Sequence, residues 1–292
     1  LSRIQDYIQA GDCYQVNFAQ RFRATCNGDP WAAYCALRAA CPTPFSGFQS
    51  LPDDGAVVSL SPERFVRISQ RQVETRPIKG TRPRGLTPQE DAANAAELLA
   101  SPKDRAENLM IVDMMRNDLS RIAEVGSVHV QSLFDVERYP TVWQMTSTVA
   151  AKTNASVTEI MKALFPCASI TGAPKARTME IIAELESSPR KIYTGAIGFI
   201  APNRKAQFNV AIRTVLVDKK KGEAEYGVGG GIVWASTTEE EYNECLTKAR
   251  VLTEVRPKLE LFETMLFTQQ DGFFLFDEHL ARSNSFAVGA FA

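Results

Sequence analysis

The sequence predicts an α+β fold built largely on antiparallel sheets, and three observations carry that prediction. Strand-like stretches come in adjacent pairs, with helices set between the pairs and no regular strand-helix alternation. Helix starts are announced by capping residues at Thr87, at Ser101 and at Thr237 or Thr238. The 292 residues are 45% hydrophobic and 23% charged, enough apolar material for one large core or two smaller ones.

Taken in order, Leu1, Ile4 and Ile8 share one helical face, and Gly11-Asp12 breaks the pattern before an alternating strand from Tyr14 to Phe22. Asp29-Pro30 is an N-cap followed by proline at the first helical position, opening a helix that runs to about Ala40. Strands are expected at Phe45 to Gln49, Ala56 to Leu60 and Arg64 to Val73. Thr87-Pro-Gln-Glu90 is a capping box, and Ser101-Pro-Lys-Asp104 starts a longer helix with an acid in its first turn. Strands at Val128 to Val136 and Val142 to Ala150 precede a helix from Ser156 to Leu164, and the loop Phe165 to Lys175 leads into another helix through Leu185. Tyr193 to Ile200, Gln207 to Val217 and Glu223 to Val228 read as the remaining strands. Past Arg256-Pro257 a new strand is expected from Leu259, and with it a domain boundary between residues 1–256 and 257–292.

With 33 Lys and Arg against 34 Asp and Glu, nothing favours nucleic acid or an acidic membrane surface, so a small molecule is the expected partner. Six cysteines without a Cys-x-x-Cys pair point to a reducing, cytoplasmic setting. No apolar run approaches the roughly 18 residues of a membrane span. The missing initiator Met suggests a fragment.

Three constellations could carry chemistry. Asp104 and Glu107 lie three apart on one expected helix, and Glu241 and Glu244 three apart on another. Converging carboxylates suit a hard cation such as Mg²⁺, although spacing alone is met as well by solvated helix faces. The second is the basic loop Arg76-Pro-Ile-Lys-Gly-Thr-Arg-Pro-Arg84, whose prolines and glycine restrict the backbone around Lys79; a held lysine of lowered pKa is a nucleophile, whereas the simpler account is a basic surface turn. The third is Gly227-Val-Gly-Gly-Gly-Ile232, read as glycines leaving a strand where backbone N–H groups can approach an anion or simply make a tight turn. Arg213, placed on a buried strand by Ala211-Ile-Arg-Thr, needs an anionic partner there.

Gly11-Asp-Cys-Tyr-Gln-Val-Asn, Ser61-Pro-Glu-Arg-Phe, Arg76-Pro-Ile-Lys-Gly-Thr-Arg-Pro-Arg-Gly, Arg105-Ala-Glu-Asn-Leu-Met-Ile-Val-Asp, Arg116-Asn-Asp-Leu, Thr171-Gly-Ala-Pro-Lys-Ala-Arg, Ala211-Ile-Arg-Thr and Gly229-Gly-Gly-Ile-Val stand in register with one family. Over nearly all of residues 3 to 254 the chain resembles the chorismate-utilising enzymes that include anthranilate synthase component I and aminodeoxychorismate synthase component I. The resemblance implies a two-sheet α/β sandwich of the anthranilate synthase component I type, N-terminally incomplete here, with Mg²⁺-dependent chemistry on chorismate. It makes Glu107 and Glu244 the metal ligands, expected about 4 to 5 Å apart across one ion, with Asp104 and Glu241 behind them. It assigns Gly80, Thr81, Thr171 and Gly229, Gly230 and Gly231 to the ring and its carboxylate, and Tyr193 and Arg213 to the enolpyruvyl carboxylate.

Members of that family that add water carry lysine where Gln15 stands, so the resemblance implies ammonia as nucleophile. Lys79, in Pro-Ile-Lys-Gly-Thr, resembles aminodeoxychorismate synthases, where anthranilate synthases have alanine. It implies a covalent bond from Lys79 to ring C2 and entry of ammonia at C4, with Glu63 as the acid for the departing hydroxyl and with burial, Arg76 or Arg82 lowering the lysine pKa. Gln144 departs from the family's histidine. Ammonia is expected from a separate glutamine amidotransferase, since no cysteine lies in a Gly-x-Cys-x-Gly elbow. The tail resembles the opening of a pyridoxal-phosphate (PLP) aminodeoxychorismate lyase, Asp277-Glu-His-Leu-Ala-Arg282 matching its early helix and Arg282 its phosphate-binding arginine. PLP would serve only the complete lyase domain, whose Schiff-base lysine lies beyond residue 292. Anthranilate synthase and a non-catalytic scaffold are the rival readings.

Overall fold

A computed structural model of the chain describes residues 1–139, 142–252, 264–270 and 272–291. The first half contains α1 (Ser2–Gln9), β1 (Gln15–Thr25), α2 (Pro30–Ala40), β2 (Phe45–Leu51), β3 (Gly55–Ser61), β4 (Arg64–Ser69), β5 (Gln72–Arg76), β6 (Ile78–Pro83), α3 (Pro88–Ala100) and α4 (Pro102–Ser120). There follow β7 (His129–Arg138), β8 (Val142–Lys152), α5 (Val157–Leu164), β9 (Gly172–Ala173), α6 (Lys175–Leu185), β10 (Ala196–Ala201), β11 (Lys205–Val210), β12 (Thr214–Asp218), β13 (Glu223–Ile232) and α7 (Thr238–Ala249). The tail holds β14 (Phe267–Thr268), β15 (Gly272–Phe273) and α8 (Phe276–Phe291). The expected domain boundary after residue 256 lies outside the described residues.

The caps are where the sequence places them. Asp29 accepts from the backbone of Trp31 and Ala32, Thr87 from Glu90, Ser101 from Asp104 and Thr237 from Glu240. Each such cap is worth about 1 kcal/mol to its helix. The box at Thr87 differs in one respect: the Glu90 carboxylate takes the Leu86 N–H at 2.8 Å, one residue before the cap itself.

Two sheets carry the fold, and every ladder in them is antiparallel. One runs β2-β3-β12-β13-β1-β9; the other runs β10-β11-β4-β5-β8-β6, with β7 also paired to β8. The second sheet packs on α4 and α5 through Phe65, Val73, Ile111, Met115, Leu119 and Val149, all buried. At about 1.5–3 kcal/mol for each large apolar side chain removed from water, this face fixes α4 against β8. The first sheet packs on α2 and α7 through Tyr34, Val58, Val228 and Cys245, and on α1 and α6 through Ile4, Val16 and Ile181.

Where the structure departs from the expected strands, the chain changes direction or sheet. Arg64 to Val73 is a hairpin, because Gln70 adopts φ 53° and turns the chain between β4 and β5. Gln207 to Val217 is two strands in different sheets. Two crossovers thus run side by side from sheet to sheet: Ser61-Pro-Glu63 from β3 to β4, and Ala211-Ile-Arg213 from β11 to β12. Their backbones are tied by Leu60 N–H to Arg213 O at 3.0 Å and Val210 N–H to Glu63 O at 3.0 Å. Ser61 Oγ adds a hydrogen bond to Val210 O at 2.6 Å.

Candidate active site

Lys79 sits in a β-bulge. From Ile78↔Thr146 to Thr81↔Gln144 the ladder advances three residues on β6 and two on β8, leaving one extra residue at Lys79-Gly80. The expected loop from Arg76 to Arg84 is therefore mostly strand, and the bulge re-aims the lysine as such irregularities do beside functional sites. Gly80 is required there. Its φ is +89°, and a Cβ would meet Leu98 Cδ1 at 2.9 Å and Asp104 Cβ at 3.0 Å.

Burial pushes the Lys79 ammonium below its ordinary value; Glu107 pulls it back, Lys248 pushes it further down, and Glu63 and Glu244 pull it back again. The expected help from Arg76 and Arg82 is not among these causes, because each arginine is already paired. Arg76 binds Glu137, and Arg82 binds Glu97 at 2.9 Å and Asp104 at 3.1 Å. Charges from α4, α7 and the first crossover thus converge on one amine from separate parts of the chain.

Glu63, on the first crossover, is 4% exposed. Its carboxyl is pushed up to about 7, chiefly by burial, against the opposing pull of a Ser169 hydrogen bond, the Lys79 charge and the Ile78 backbone N–H. A carboxyl titrating near neutrality can give a proton at physiological pH.

The three glycines of β13 work differently from the expected turn. Gly229, Gly230 and Gly231 lie inside the strand, paired to Ala19, Phe18 and Asn17 of β1. What matters is the missing side chain. A Cβ on Gly230 would lie 2.7 Å from Glu241 Oε2 and 3.3 Å from Glu244 Oε1, and one on Gly231 would lie within the Gln15 amide. Side chains alternate along a strand, so Gly230 opens toward α7 and Gly231 toward Gln15. Glu241 accepts from Ser236 Oγ at 2.7 Å, and its carboxyl is raised by burial, with the Glu244 charge adding to the rise. Lys248 Nζ bridges Glu244 Oε1 at 2.5 Å and Gly229 O at 2.7 Å.

These acids suit a hard cation by oxygen chemistry and by the shared space over Gly230. Among the described residues, no group of three or more His, Cys, Asp or Glu side chains is already drawn together as a metal cluster. The charges of Glu107 and Glu244 both act on Lys79.

Arg213 and Tyr193, both expected on strands, lie on bends. Arg213 ends the second crossover with φ 48°, a left-handed conformation that costs a non-glycine residue about 1 kcal/mol or more. Its charge acts on Tyr226. Tyr193 lies in the turn before β10, its ring over Gly227, where a Cβ would be 2.1 Å from Cγ. The turn is tied to the crossover by Thr194 N–H to Ala211 O at 2.9 Å. Thr171 is buried in the segment before β9, its carbonyl accepting from Asn17 N–H at 2.8 Å.

Sequence reasoning missed three polar groups here. Asn17 follows Gln15 by two on the same strand face, and Asn17 Nδ2 and both Gln15 amide atoms are buried without a hydrogen-bond partner. Lys248 stands one helical turn after Glu244, a spacing that could have flagged it. Ser169 lies two residues before Thr171 and donates to Glu63 Oε1 at 2.6 Å. Gln144, opposite Thr81, is 3% exposed, and its Oε1 is unpartnered. In the tail, Asp277 to Arg282 fall in α8 as expected, with Arg282 Nη2 2.9 Å from His279 Nδ1.

Comparison with known proteins gives this arrangement its context. The chain is 49% identical over 256 residues to aminodeoxychorismate synthase component 1 of Klebsiella aerogenes, covering 87% of this chain and 56% of that protein. It is 40% identical to anthranilate synthase component 1 of Cereibacter sphaeroides over 272 residues, 90% of this chain and 52% of that one. It therefore spans about half the length of the curated relatives it matches. The crystal structure of anthranilate synthase component I from Streptococcus pneumoniae superimposes with a TM-score of 0.79 at 34% identity, covering 87% of this chain and 56% of that one. A family model described as chorismate binding enzyme matches residues 1–254, and the chain belongs to that family.

Proposed function

We propose that this chain is the catalytic part of an enzyme that aminates chorismate to 4-amino-4-deoxychorismate with ammonia, on the route to para-aminobenzoate and folate. The observation that carries the reading is the half-buried Lys79 in its bulge, its ammonium held below the ordinary lysine value, with the near-neutral acid Glu63 acting on it. Relatives of this type at 45–49% identity support the same reaction.

The Lys79 amine attacks ring C2, the ring double bond shifts, and the C4–O bond breaks as Glu63 gives its proton, so the hydroxyl leaves as water. The proton shed by the new C–N bond restores the Glu63 acid. Ammonia then bonds at C4, the electron pair shifts back, and the C2–N bond breaks, the surplus proton of the entering ammonia going to the departing lysine nitrogen. Chorismate and ammonia become aminodeoxychorismate and water. With C2 occupied, the amine enters para to the carboxylate.

Arg213, whose planar fork grips a carboxylate at two points, and Tyr193 would hold the enolpyruvyl carboxylate. The backbones of Gly80, Thr81 and Gly229 to Gly231, together with Thr171, would line the ring. Glu107 and Glu244, backed by Asp104 and Glu241, would hold Mg²⁺, which when bound supplies positive charge for the ring carboxylate. Gln15, an amide with no basic nitrogen, does not activate water. Ammonia would come from a glutamine amidotransferase partner, and residues 257–292 would open a PLP-dependent lyase-like domain. Incubation with chorismate, Mg²⁺ and ammonium should yield aminodeoxychorismate by chromatography, while glutamine alone should not. Absence of turnover would favour a scaffold.

Anthranilate formation is the second reading, favoured by the 40% identity to an anthranilate synthase component 1. Lys79 opposes it, and a fluorescent anthranilate product would decide for it.

A further inference from the structure

We propose that Ser169 is the positioning residue for Glu63: its hydroxyl occupies Oε1 and leaves Oε2 as the oxygen that delivers the proton. This rests on the reading of Glu63 as the acid of the reaction. The hydrogen bond from Ser169 Oγ to Glu63 Oε1 measures 2.6 Å and joins two side chains that are 5% and 4% exposed. Bulk solvent is largely excluded from both.

The donor is itself held. Ser169 is the middle residue of a single 3-10 turn, Ala168–Ile170. Ile170 N–H closes the turn onto Cys167 O at 3.3 Å, and Arg190 Nη1 clamps Ile170 O at 2.9 Å. Cys167 Sγ lies 3.2 Å from Ser169 Oγ. Since the Ser169 proton points at Glu63, the thiol is the donor in that contact. Burial, with the Glu63 charge, pushes the Cys167 thiol up to about 12, so it keeps its proton throughout the working range. The relay therefore runs one way, from Cys167 S–H to Ser169 O–H to Glu63 Oε1, and fixes the hydroxyl rotor.

A carboxylic acid that could turn either oxygen to the ring would waste half its orientations. With Oε1 committed as an acceptor, the proton resides on Oε2. The other groups facing Glu63 are the Lys79 amine and the Ile78 backbone N–H from β6. Lys175 from α6 acts on Cys167 but is paired with Asp118 at 2.9 Å.

The test is the pH–rate profile of chorismate amination by the full-length protein, for the parent, Ser169→Ala, Ser169→Thr, Ser169→Val and Glu63→Gln. Loss of a donor to the carboxylate raises the Glu63 pKa, so Ser169→Ala should move the alkaline limb to higher pH. It should also lower kcat about tenfold or more, a general acid being worth about 10² to 10⁴, with KM for chorismate unchanged. Ser169→Thr should restore both, and Ser169→Val, the same shape without a hydroxyl, should not; this pair decides the matter should the alanine variant fail to fold. Unchanged limb and kcat in Ser169→Ala and Ser169→Val, with Glu63→Gln inactive, would overturn the role of Ser169 alone. Full activity in Glu63→Gln would overturn both it and the acid assignment.

Discussion

Glu241 Oε2 lies where a side chain on Gly230 would begin, 2.7 Å from the position of its Cβ. The relationship gives Gly230→Ala an unusual signature. The obstruction is the far end of two flexible acids, Glu241 and Glu244, so they can swing aside with little damage to the fold. Thermal melting should shift by only a few degrees, about 1 kcal/mol for a domain of this size, while Mg²⁺ affinity measured by calorimetry falls at least tenfold. Gly172→Ala is the contrast. There φ is +144° and the obstruction is the Gln15 backbone carbonyl at 2.2 Å, so folding itself should fail. Unchanged Mg²⁺ affinity in Gly230→Ala would contradict the cation-site reading.

Glu244→Gln tests the same site from the other side. Glu244 accepts from Lys248 Nζ at 2.5 Å, and that ammonium also holds Gly229 O at 2.7 Å. The amide keeps the shape and loses the charge. Turnover should drop, and raising Mg²⁺ should restore it only in part, because a neutral ligand weakens hard-cation binding. Complete rescue, or no change in the Mg²⁺ titration, would remove Glu244 from the proposed ligand set.

The helices were legible because their signals are local: Asp29-Pro30, Thr87, Ser101 and Thr237 each cap where the sequence puts them. The antiparallel character was legible too, from paired strands. What sequence could not give is sheet membership. Gln207 to Val217 has an unbroken strand pattern, yet Arg213 takes φ 48° and passes the chain to the other sheet. The Lys79 bulge was hidden for a related reason, since a one-residue register difference exists only against β8, over sixty residues away. The convergence of Glu63, Glu107 and Glu244 on Lys79 depends on packing between α4, α7 and the two sheets, which periodicity does not encode. Ser169 looked like any small residue in a loop.

Glu63 sets a pH window. Its ordinary value is 4.5 and its value here is about 7. A general acid works in its protonated form, so turnover should fall as pH rises through about 7. Stability follows with a sign of its own. Because the folded state keeps the proton more tightly, the contribution of Glu63 is fully present below pH 4.5 and is lost as pH rises through 7. At about 1.4 kcal/mol per pKa unit, the loss is of the order of 3 kcal/mol. Glu63→Gln should abolish most activity and flatten the stability–pH curve between those limits, making the variant the more stable protein at pH 8. A variant with the parent's slope would show that Glu63 titrates near its ordinary value.

Lys79 gives the sharpest test of para amination. Burial holds its ammonium below the ordinary lysine value, which favours the neutral nucleophile, while Glu107, Glu63 and Glu244 keep it from falling freely. The charges of Lys79 and Glu63 act on one another, so their titrations are coupled. Lys79→Ala removes the amine from the bulge but leaves Arg213, Tyr193 and the α4 and α7 acids in place. Chorismate binding should therefore survive by calorimetry while formation of the para-amino product falls by orders of magnitude. Any residual ammonia chemistry should now reach C2 directly and give ortho-aminated product. Mass spectrometry of the parent with chorismate and Mg²⁺, without ammonia, should find the ring joined to Lys79 and one water lost. An unmodified lysine in that experiment, with full para amination in Lys79→Ala, would leave the covalent route without support and place ammonia's direct attack in its stead.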